Sequence, residues 1–290
     1  MSTLLLILTA AIWGAAFVAQ RAGAESLPPF AFNGLRFLLG SLLLAPVAVG
    51  AWASRPRTIR PPFRAHLLPS LLCGLFLFLG STLQQTAMST TDPGKAGFLT
   101  ALYILLVPLL QRLFGRPLRP LHLFCALLGT AGMALLCLSR TLSFAPGDLL
   151  LVLCALAFAC HILAIDRFAP ALDPLLLSCL QFAVVGLLSL PAIFLREGFP
   201  PPAAFRDAAI PFLYAAVFSC GIAYTLQVVA QRRVPPTLAS LLMCLESVFA
   251  LLAGALLLHE RHTLRELLGC LLLFLAILLA QLPPRRRPTR

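Results

Sequence analysis

The sequence TLASLLMCLESVFALLAGALLLH, which runs from Thr237 to His259, is an apolar run that carries a single carboxylate, Glu246, near its middle. At about 1.5 Å per residue, a helix from Thr237 to Glu246 rises roughly 13 Å, close to half of a ~30 Å hydrocarbon layer. A carboxylate is costly at that depth, so it normally faces a bundle interior or a wet cavity and marks a transport pathway. The run therefore predicts a membrane-spanning helix with a functional carboxylate near the bilayer midplane.

Helical spacing gives this run two different faces. The residues on the Glu246 side are mostly small: Ala239, Met243, Ala250, Ala253 and Gly254. The opposite side carries larger apolar residues: Leu241, Leu245, Phe249, Leu252 and Leu256. Small residues allow close helix packing or form a cavity wall, whereas leucines suit lipid. We therefore expect the first face to point into the protein and the second to contact the bilayer.

The composition excludes a soluble protein. Of the 290 residues, 60% are hydrophobic and 11% are charged, and the mean hydropathy is +0.95. The net charge of +12 does not predict a nucleic-acid partner, because the basic residues lie in short segments between apolar runs, as membrane topology signals do. All nine cysteines lie inside apolar runs without metal-ligand spacing, which indicates packing rather than disulfides, a metal or a cofactor.

The apolar runs predict an all-α membrane protein with ten transmembrane helices. Short linkers rich in Pro, Gly and Arg leave no room for an inserted soluble domain. The first run is interpreted as a genuine span, although Ala22-Gly23-Ala24 is typical of a signal-peptide cleavage site, because no Lys or Arg precedes it. The predicted spans are 3–22, 30–53, 66–87, 94–112, 120–139, 148–165, 174–195, 208–231, 237–259 and 264–282.

Two halves of the chain repeat one another. The matching pairs are Gln84 with Gln227, 143 positions apart, and Phe37 with Phe182 and Pro46 with Pro191, each 145 apart. The same offset places Tyr103 opposite Glu246, each nine residues into its span. Two five-span units, 1–140 and 141–290, follow from this offset. Because five is odd, the second unit must cross the membrane upside down, which gives an inverted 5+5 repeat, a common transporter plan.

The distribution of basic residues predicts the orientation. With a cytoplasmic N-terminus, the inside segments hold fourteen Arg residues and the outside segments hold seven Lys or Arg residues. This excess favours cytoplasmic placement of both termini. The basic tail after Pro283-Pro284 is then a clamp on anionic headgroups rather than a ligand site.

The sequence resembles the drug/metabolite transporter superfamily, specifically bacterial permeases built of two EamA domains. The segments that carry the resemblance are Ala11-Ile12-Trp13-Gly14, Leu35-Arg36-Phe37, Asp92-Pro93-Gly94-Lys95-Ala96-Gly97-Phe98, Leu102-Tyr103, Val107-Pro108-Leu109-Leu110, Gly147-Asp148, Leu245-Glu246-Ser247-Val248-Phe249-Ala250 and His259-Glu260. The resemblance implies an EamA repeat in each half, a central cavity, an inner-membrane location and export of amino acids, metabolites or drugs. In the family a Pro often follows the Glu of span 9, whereas Ser247 stands here, so a kink there is not assured, although Pro108 can bend the paired span.

Glu246 and Arg36 are the charged candidates for the site. Glu246 either exchanges a proton or binds an amine of the substrate, and the alternative is a structural ion pair with Arg36. Arg36 either binds a substrate carboxylate or serves as a structural partner of Glu246 or of helix-end carbonyls. Asn33, one turn before Arg36, is expected to orient it.

The other candidates for substrate binding or coupling are polar or aromatic residues inside the spans, and Tyr103, which the offset places opposite Glu246, is one of them. Gln84 and Gln227 either line the cavity or hydrogen-bond between helices. Trp13 either stacks on the substrate or packs, and His161 either relays protons or is a hydrogen-bonded structural residue. Asp148, after Pro146-Gly147, is expected to cap the start of span 6.

These features favour a transporter in which the five-helix units rock around a midplane cavity lined by spans 1, 3, 4, 6, 8 and 9. An intramembrane enzyme needs clustered catalytic groups, which one buried carboxylate does not supply. A scaffold does not explain the repeat, and a channel needs a ring of like charges or a filter. The expected partners are the lipid bilayer and a small amphipathic or zwitterionic solute. Both proton antiport and a facilitated carrier without protons stay open.

Overall fold

The computed structural model describes residues 1–88, 90–91, 93–113, 115–116, 119–138, 146–258 and 263–282. Asp92, the expected boundary at 140–141, His259, Glu260 and the basic tail 283–290 lie outside these residues. The described α-helices are α1 (Ser2–Ala24), α2 (Pro29–Ala53), α3 (Phe63–Ala87), α4 (Pro93–Ala101), α5 (Tyr103–Leu113), α6 (Pro120–Cys137), α7 (Pro146–Phe168), α8 (Pro174–Ala192), α9 (Pro202–Asp207), α10 (Ala209–Tyr214), α11 (Thr225–Gln231), α12 (Pro236–Met243), α13 (Leu245–Leu258) and α14 (Leu264–Ala280).

Proline starts many of these helices. Its fixed φ suits the first helical turn, where its missing N–H would have no helical partner in any case. The helices that begin with Pro are α2, α4, α6, α7, α8, α9 and α12. A π-helical segment, Ala215–Tyr224, joins α10 to α11 without interruption, and another, Ile193–Glu197, extends α8.

Eight helical stretches in the described part of the chain are long and apolar enough to cross a membrane, which establishes a multi-pass, all-helical architecture. They are Ser2–Ala24, Pro29–Ala53, Phe63–Ala87, Lys95–Leu113, Pro120–Cys137, Pro146–Ala171, Pro174–Glu197 and Ala209–Gln231. A shorter apolar helical stretch, Pro236–Leu252, follows them, and the 17-residue α14 comes last.

Helix contacts between the two halves come in equivalent pairs. α2 packs along α8, and α6 packs along α14. α3 lies against α7, and its counterpart is the contact of α1 with the 209–231 helix. Similarly, α1 packs on α13, whereas α7 packs on α4 and α5. The pairing places α1, α7 and the broken helices α4–α5 and α12–α13 around the centre of the molecule.

Small residues allow the closest of these contacts. A Cβ on Gly132 of α6 would lie 2.8 Å from the carbonyl oxygen of Gly269 in α14, and a Cβ on Gly269 would lie 2.7 Å from the carbonyl oxygen of Gly132. The two backbones therefore touch, as small residues permit in membrane helix packing.

We predicted one continuous helix from Thr237 to His259. The structure instead has two helices in this stretch, α12 and α13. A turn at Cys244 separates α12 from α13, and a turn at Leu102 separates α4 from α5. Neither turn lies at a proline. Pro108, the proline that could bend span 4, lies inside α5. At both turns a hydrogen bond joins residues three positions apart instead of four. Leu105 N–H donates to Leu102 O at 3.0 Å, and Ser247 N–H donates to Cys244 O at 3.3 Å.

Two leucines that we expected to face lipid lie in the core instead. Leu241 is fully buried and Leu245 is 9% exposed, whereas Leu252 is 46% exposed, as predicted. The prediction was wrong for the first two because α12 is enclosed by α1, α5, α6, α7 and α14, which leaves it no lipid face. The side chains of Ala253, Gly254 and Leu256 lie outside the described part.

Asp148 is not an N-cap. The helix already begins at Pro146, so Asp148 lies within its first turn, where a carboxylate suits the helix dipole. Its carboxylate forms an ion pair with Lys95 near the start of α4. The residue thus joins two helices at the same end of the molecule rather than only starting one.

Candidate functional site

A single cavity brings together all seven site residues that the sequence predicted. Its volume is about 40 Å³. This leaves room for about three waters, since one water needs roughly 10–15 Å³. Spans 1, 3, 4, 6, 8 and 9 contribute to it as expected, and span 2 adds Arg36. The lining residues are Trp13, Ala16, Phe17, Gln20, Arg36, Gln84, Thr100, Tyr103, Phe158, His161, Ile162, Ser219, Tyr224, Gln227, Met243 and Glu246.

Glu246 lies in the first turn of α13, directly after the turn at Cys244, and is 5% exposed. Its carboxyl group has no hydrogen bond or ion pair with any side chain or backbone group of the described residues. The structural alternative, an ion pair with Arg36, is not formed. A buried carboxylate without a cation is costly, and either a bound proton or a cationic ligand removes that cost.

Arg36 is 1% exposed, and the predicted partner Asn33 does orient it. Nε and Nη2 donate to Asn33 Oδ1 at 3.2 and 2.9 Å, and Asn33 Nδ2 donates in turn to Ser81 and Thr82 on α3, each at 3.0 Å. The guanidinium lies 5.1 Å from the ring centre of Phe37. Nη1 is buried and has no partner, so one donor nitrogen of a fixed guanidinium remains available at the cavity wall.

Tyr103 begins α5, so it follows the turn of α4–α5 as Glu246 follows the turn of α12–α13. The Tyr103 hydroxyl accepts a hydrogen bond from Cys244 Sγ at 3.3 Å. The two broken helices therefore meet directly, and the repeat offset that paired Tyr103 with Glu246 predicted this neighbourhood correctly.

The Ala11-Ile12-Trp13-Gly14 segment brings α1 against this centre. A Cβ on Gly14 would lie 2.6 Å from the backbone oxygen of Glu246 and 3.0 Å from Ala250 N. Only glycine permits this approach of the two helices. The adjacent Trp13 packs edge-on against Tyr224, with ring centroids 4.7 Å apart, and its Nε1 is buried without a partner.

Gln84 and Gln227 both line the cavity. Gln84 also forms the expected hydrogen bond between helices, whereas the bond of Gln227 stays within its own helix. Gln84 Nε2 donates to Thr100 Oγ1 at 3.4 Å, across from α3 to α4. Gln227 Nε2 donates to Gln231 Oε1 at 2.8 Å within α11, and its Oε1 has no partner. Each half thus contributes an amide to the wall.

His161 lies on the cavity wall and is held by a hydrogen bond. Its Nε2 and the side-chain amide of Gln181 form a hydrogen bond of 2.9 Å. Gln181 is the repeat counterpart of Arg36, so the two halves place different chemistry at equivalent positions. The His161 ring also packs edge-on against Tyr224 at 6.2 Å.

Several lining residues were not among the candidates from the sequence. Gln20, Thr100 and Ser219 line the cavity, and Tyr224 contacts the rings of Trp13, Phe37, His161 and Phe182. Met243, on the face that was expected to point inward, also lines it. Helical spacing contained a signal for two of them, because Gln20 follows Phe17 by three positions and Thr100 precedes Tyr103 by three. Ser219 lies in a π-helical segment, where the ordinary 3.6-residue period does not apply.

The cavity therefore offers an unpaired carboxylate, an unpaired guanidinium nitrogen, two amides and several aromatic faces. This set can bind a small solute that carries both charges and an apolar part. Among the described residues, no group of three or more His, Cys, Asp or Glu side chains is placed to hold a metal ion. All nine cysteines are free, and each is buried or half-buried.

Comparison with known proteins agrees with this architecture. The EamA-like transporter family model matches the chain twice, over residues 1–138 and 145–282. An uncharacterized transporter of Archaeoglobus fulgidus is 29% identical over 96% of this chain and 84% of its own length. The uncharacterized inner membrane transporter YedA of Escherichia coli K12 is 27% identical over 84% of this chain and 78% of its own length.

A crystal structure shares the fold, with a TM-score of 0.77 and 22% identity over 97% of this chain and 96% of that chain. The relatives are named as transporters rather than as enzymes. The apolar helices and the central cavity suit a protein that acts within a lipid bilayer on a small-molecule substrate. With two matches that together cover most of its length, the chain belongs to the EamA-like transporter family and is a multi-pass membrane transporter.

Proposed function

We propose that this transporter exports small amphipathic or zwitterionic solutes by alternating access around the cavity that holds Glu246. The observation that carries the proposal is the convergence of polar residues from both matched halves on one cavity. Arg36, Gln84 and Tyr103 come from the first half, and His161, Gln227 and Glu246 come from the second. A site shared between two repeats can open to either side when the repeats move against each other.

Two inverted five-span units, 1–140 and 141–290, supply the moving parts. The recurring helix contacts and the paired turns at Leu102 and Cys244 support this division. In this arrangement α4–α5 and α12–α13 count as one span each, which brings the total to ten.

The charges of the cavity favour a solute with a cationic and an anionic group. Glu246 has no cation among the described residues, and Arg36 keeps Nη1 unpartnered. An ammonium group of the solute can compensate the charge of Glu246, and a carboxylate of the solute can accept a hydrogen bond from Arg36 Nη1. A phosphate ester would call for several inward Lys or Arg residues, whereas Arg36 is the one basic side chain among the lining residues.

Glu246 can also couple transport to protons. A carboxyl group that binds either a proton or the ammonium group of the substrate exchanges one for the other. With both termini in the cytoplasm, proton entry would then drive export. The excess of Arg residues in the inside segments supports this orientation.

The test is transport by purified protein in proteoliposomes. Labelled amino acids and amphipathic amines are supplied as a pool, with and without a pH gradient, to wild type and to Glu246→Gln. We expect Glu246→Gln to keep exchange that needs no gradient and to lose accumulation driven by the gradient, because the amide cannot take up a proton.

Asp207→Asn is the matched control, because it removes a carboxylate that is largely exposed and lies outside the cavity. It should transport like wild type. Gradient-driven accumulation by Glu246→Gln at the wild-type level would overturn the coupling role of Glu246. Failure of wild type to move any solute in the pool would overturn the proposed substrate class instead.

A further inference from the structure

The connection between α2 and α3 is a structured basic loop that the cavity does not use. Both helices are membrane spans, so the connection lies at the level of the lipid headgroups. From Ser54 to Arg64 its sequence is SRPRTIRPPFR, with four Arg residues and no acidic residue. We call residues 52–64 the basic loop.

Trp52 gives the basic loop a fixed shape. Its Nε1 donates to the carbonyl oxygen of Pro61 at 2.9 Å, which closes the loop across its base. The Arg60 guanidinium lies 4.7 Å above the Trp52 ring and donates from Nη1 to Ala53 O at 3.0 Å. Phe63 packs edge-on against the same ring at 6.1 Å. The loop is thus built before any ligand arrives.

Three positive charges of the basic loop have no carboxylate partner among the described residues. Arg55 is already used, because it forms an ion pair with the buried Asp173 at the start of α8. Arg57 and Arg64 are exposed, and their side chains form no hydrogen bond or ion pair with the described residues. Arg60 is held by a backbone carbonyl and an aromatic ring, neither of which neutralises it.

Apolar side chains accompany these charges. Ile59 is 69% exposed and Phe63 is 43% exposed, and Trp52 is half-buried beside them. Exposed apolar residues at the headgroup level enter the boundary between headgroups and acyl chains, where Trp is enriched. Basic residues beside them attract anionic lipids.

We propose that the basic loop binds the headgroup of an anionic phospholipid. Arg57, Arg60 and Arg64 hold the phosphate and any second anionic group. Trp52, Ile59 and Phe63 contact the glycerol and the upper part of the acyl chains. A zwitterionic lipid fits this site less well, because its own ammonium group meets the same three arginines.

The chain contains two tryptophans, so Trp52 can report on this site directly. In Trp13→Phe protein, reconstituted in mixed bilayers, Trp52 fluorescence is quenched by brominated phosphatidylglycerol or by brominated phosphatidylcholine at equal mole fraction. We expect the anionic lipid to bind more strongly at Trp52. In Arg57→Gln/Arg64→Gln the preference should fall by about fivefold for each arginine removed, since each basic residue near the surface contributes about that factor.

Arg232→Gln/Arg233→Gln is the matched control, because it removes the same charge from another exposed linker. It should leave the preference at Trp52 unchanged. Equal quenching by the two lipids would overturn the proposal, and so would an equal loss in the control variant, which would indicate only general attraction to the surface. Removal of the preference by millimolar inorganic phosphate would identify a simple anion site rather than a lipid site and would also overturn it.

A second measurement keeps the test decisive if Trp13→Phe does not fold. Wild type and Arg57→Gln/Arg64→Gln are purified from a mixture of the two lipids, and the lipid that remains bound is counted by mass spectrometry. We expect wild type to retain more phosphatidylglycerol than the variant. Equal retention would overturn the proposal.

Discussion

Gly14 determines how closely α1 approaches the carboxylate-bearing helix. The space for a side chain at this position is already filled by backbone atoms of Glu246 and Ala250. Backbone cannot move aside as the end of a flexible side chain can. The smallest residue of the Ala11-Ile12-Trp13-Gly14 segment is therefore the one that fixes the distance between Trp13 and the Glu246 turn.

Gly14→Ala should destabilise the protein by roughly 1–3 kcal/mol, as overpacking of a well-filled interior does, and should reduce transport. Thermal unfolding in detergent measures the first effect. Gly50→Ala is the control, because a Cβ there meets nothing within 4 Å and alanine favours the helix by up to ~1 kcal/mol. Equal stability of Gly14→Ala and wild type would show that α1 adjusts without cost.

Asn33 controls the state of Arg36. Asn33→Leu removes the acceptor of two charge-assisted hydrogen bonds, so we expect a loss of about 1.5–3 kcal/mol in thermal unfolding. Arg36→Met in the same background should restore most of that stability, because an apolar pair leaves no buried charge without a partner. A double variant as unstable as Asn33→Leu would mean that Asn33 acts through Ser81 and Thr82 instead.

Most of the cavity was predictable at the residue scale because polar groups are costly in lipid. That one rule selected Glu246, Arg36, Gln84, Gln227 and His161, and all five lie on the cavity wall. The rule does not say which polar groups pair. Asn33, one helical turn away, satisfies Arg36, and a distant carboxylate does not.

At the scale of elements, the turns at Leu102 and Cys244 were not predictable. Neither contains Pro or Gly, and the apolar run continues through both. The two turns contact each other through the bond from Cys244 to Tyr103, and helical spacing does not reveal such a long-range contact. The burial of Leu241 was not predictable either, because hydropathy cannot distinguish a leucine that faces lipid from one that faces another helix.

The start of α8 joins the two halves at one end of the bundle. Asp173 Oδ1 accepts from the N–H groups of Leu175 and Leu176, its carboxylate pairs with Arg55, and its own N–H donates to His66 Nε2 at 3.0 Å. A residue that follows α7 thus anchors the connection between α2 and α3.

Replacement of Asp173 should separate its two contributions. Asp173→Asn keeps an oxygen for the cap and loses the ion pair, which is worth at most ~1 kcal/mol because Arg55 is partly exposed. Asp173→Ala also loses the cap, at a further cost of about 1 kcal/mol. Thermal unfolding should therefore rank wild type, Asn and Ala in falling order. Equal stability of the Asn and Ala variants would show that the cap contributes nothing.

For the whole molecule, the apolar runs predicted the all-helical, multi-pass architecture, because each span must satisfy its own backbone polar groups. The inverted 5+5 plan stays a prediction. The offsets that paired Gln84 with Gln227 also correspond to the recurring helix contacts. The same offsets pair Arg36 with Gln181, so they also indicated that the two repeats differ chemically at equivalent positions.

Cysteine labelling tests the proposed orientation of the molecule. Glu25→Cys and Thr58→Cys place thiols at exposed positions on either side of α2. With a cytoplasmic N-terminus, an impermeant maleimide should label Glu25→Cys in intact cells and Thr58→Cys only after permeabilisation. The native cysteines are buried or half-buried, which keeps the background low. The reverse labelling pattern would place both termini outside.

The small size of the cavity bears on how a membrane stays energised. Three waters in a row reach only roughly 8 Å at ordinary hydrogen-bond spacing, whereas the hydrocarbon layer is ~30 Å thick. A file of that length cannot conduct protons from one aqueous phase to the other. The waters of this cavity alone therefore give protons no continuous path across the bilayer, and such a path is what would dissipate a cell's electrochemical gradient.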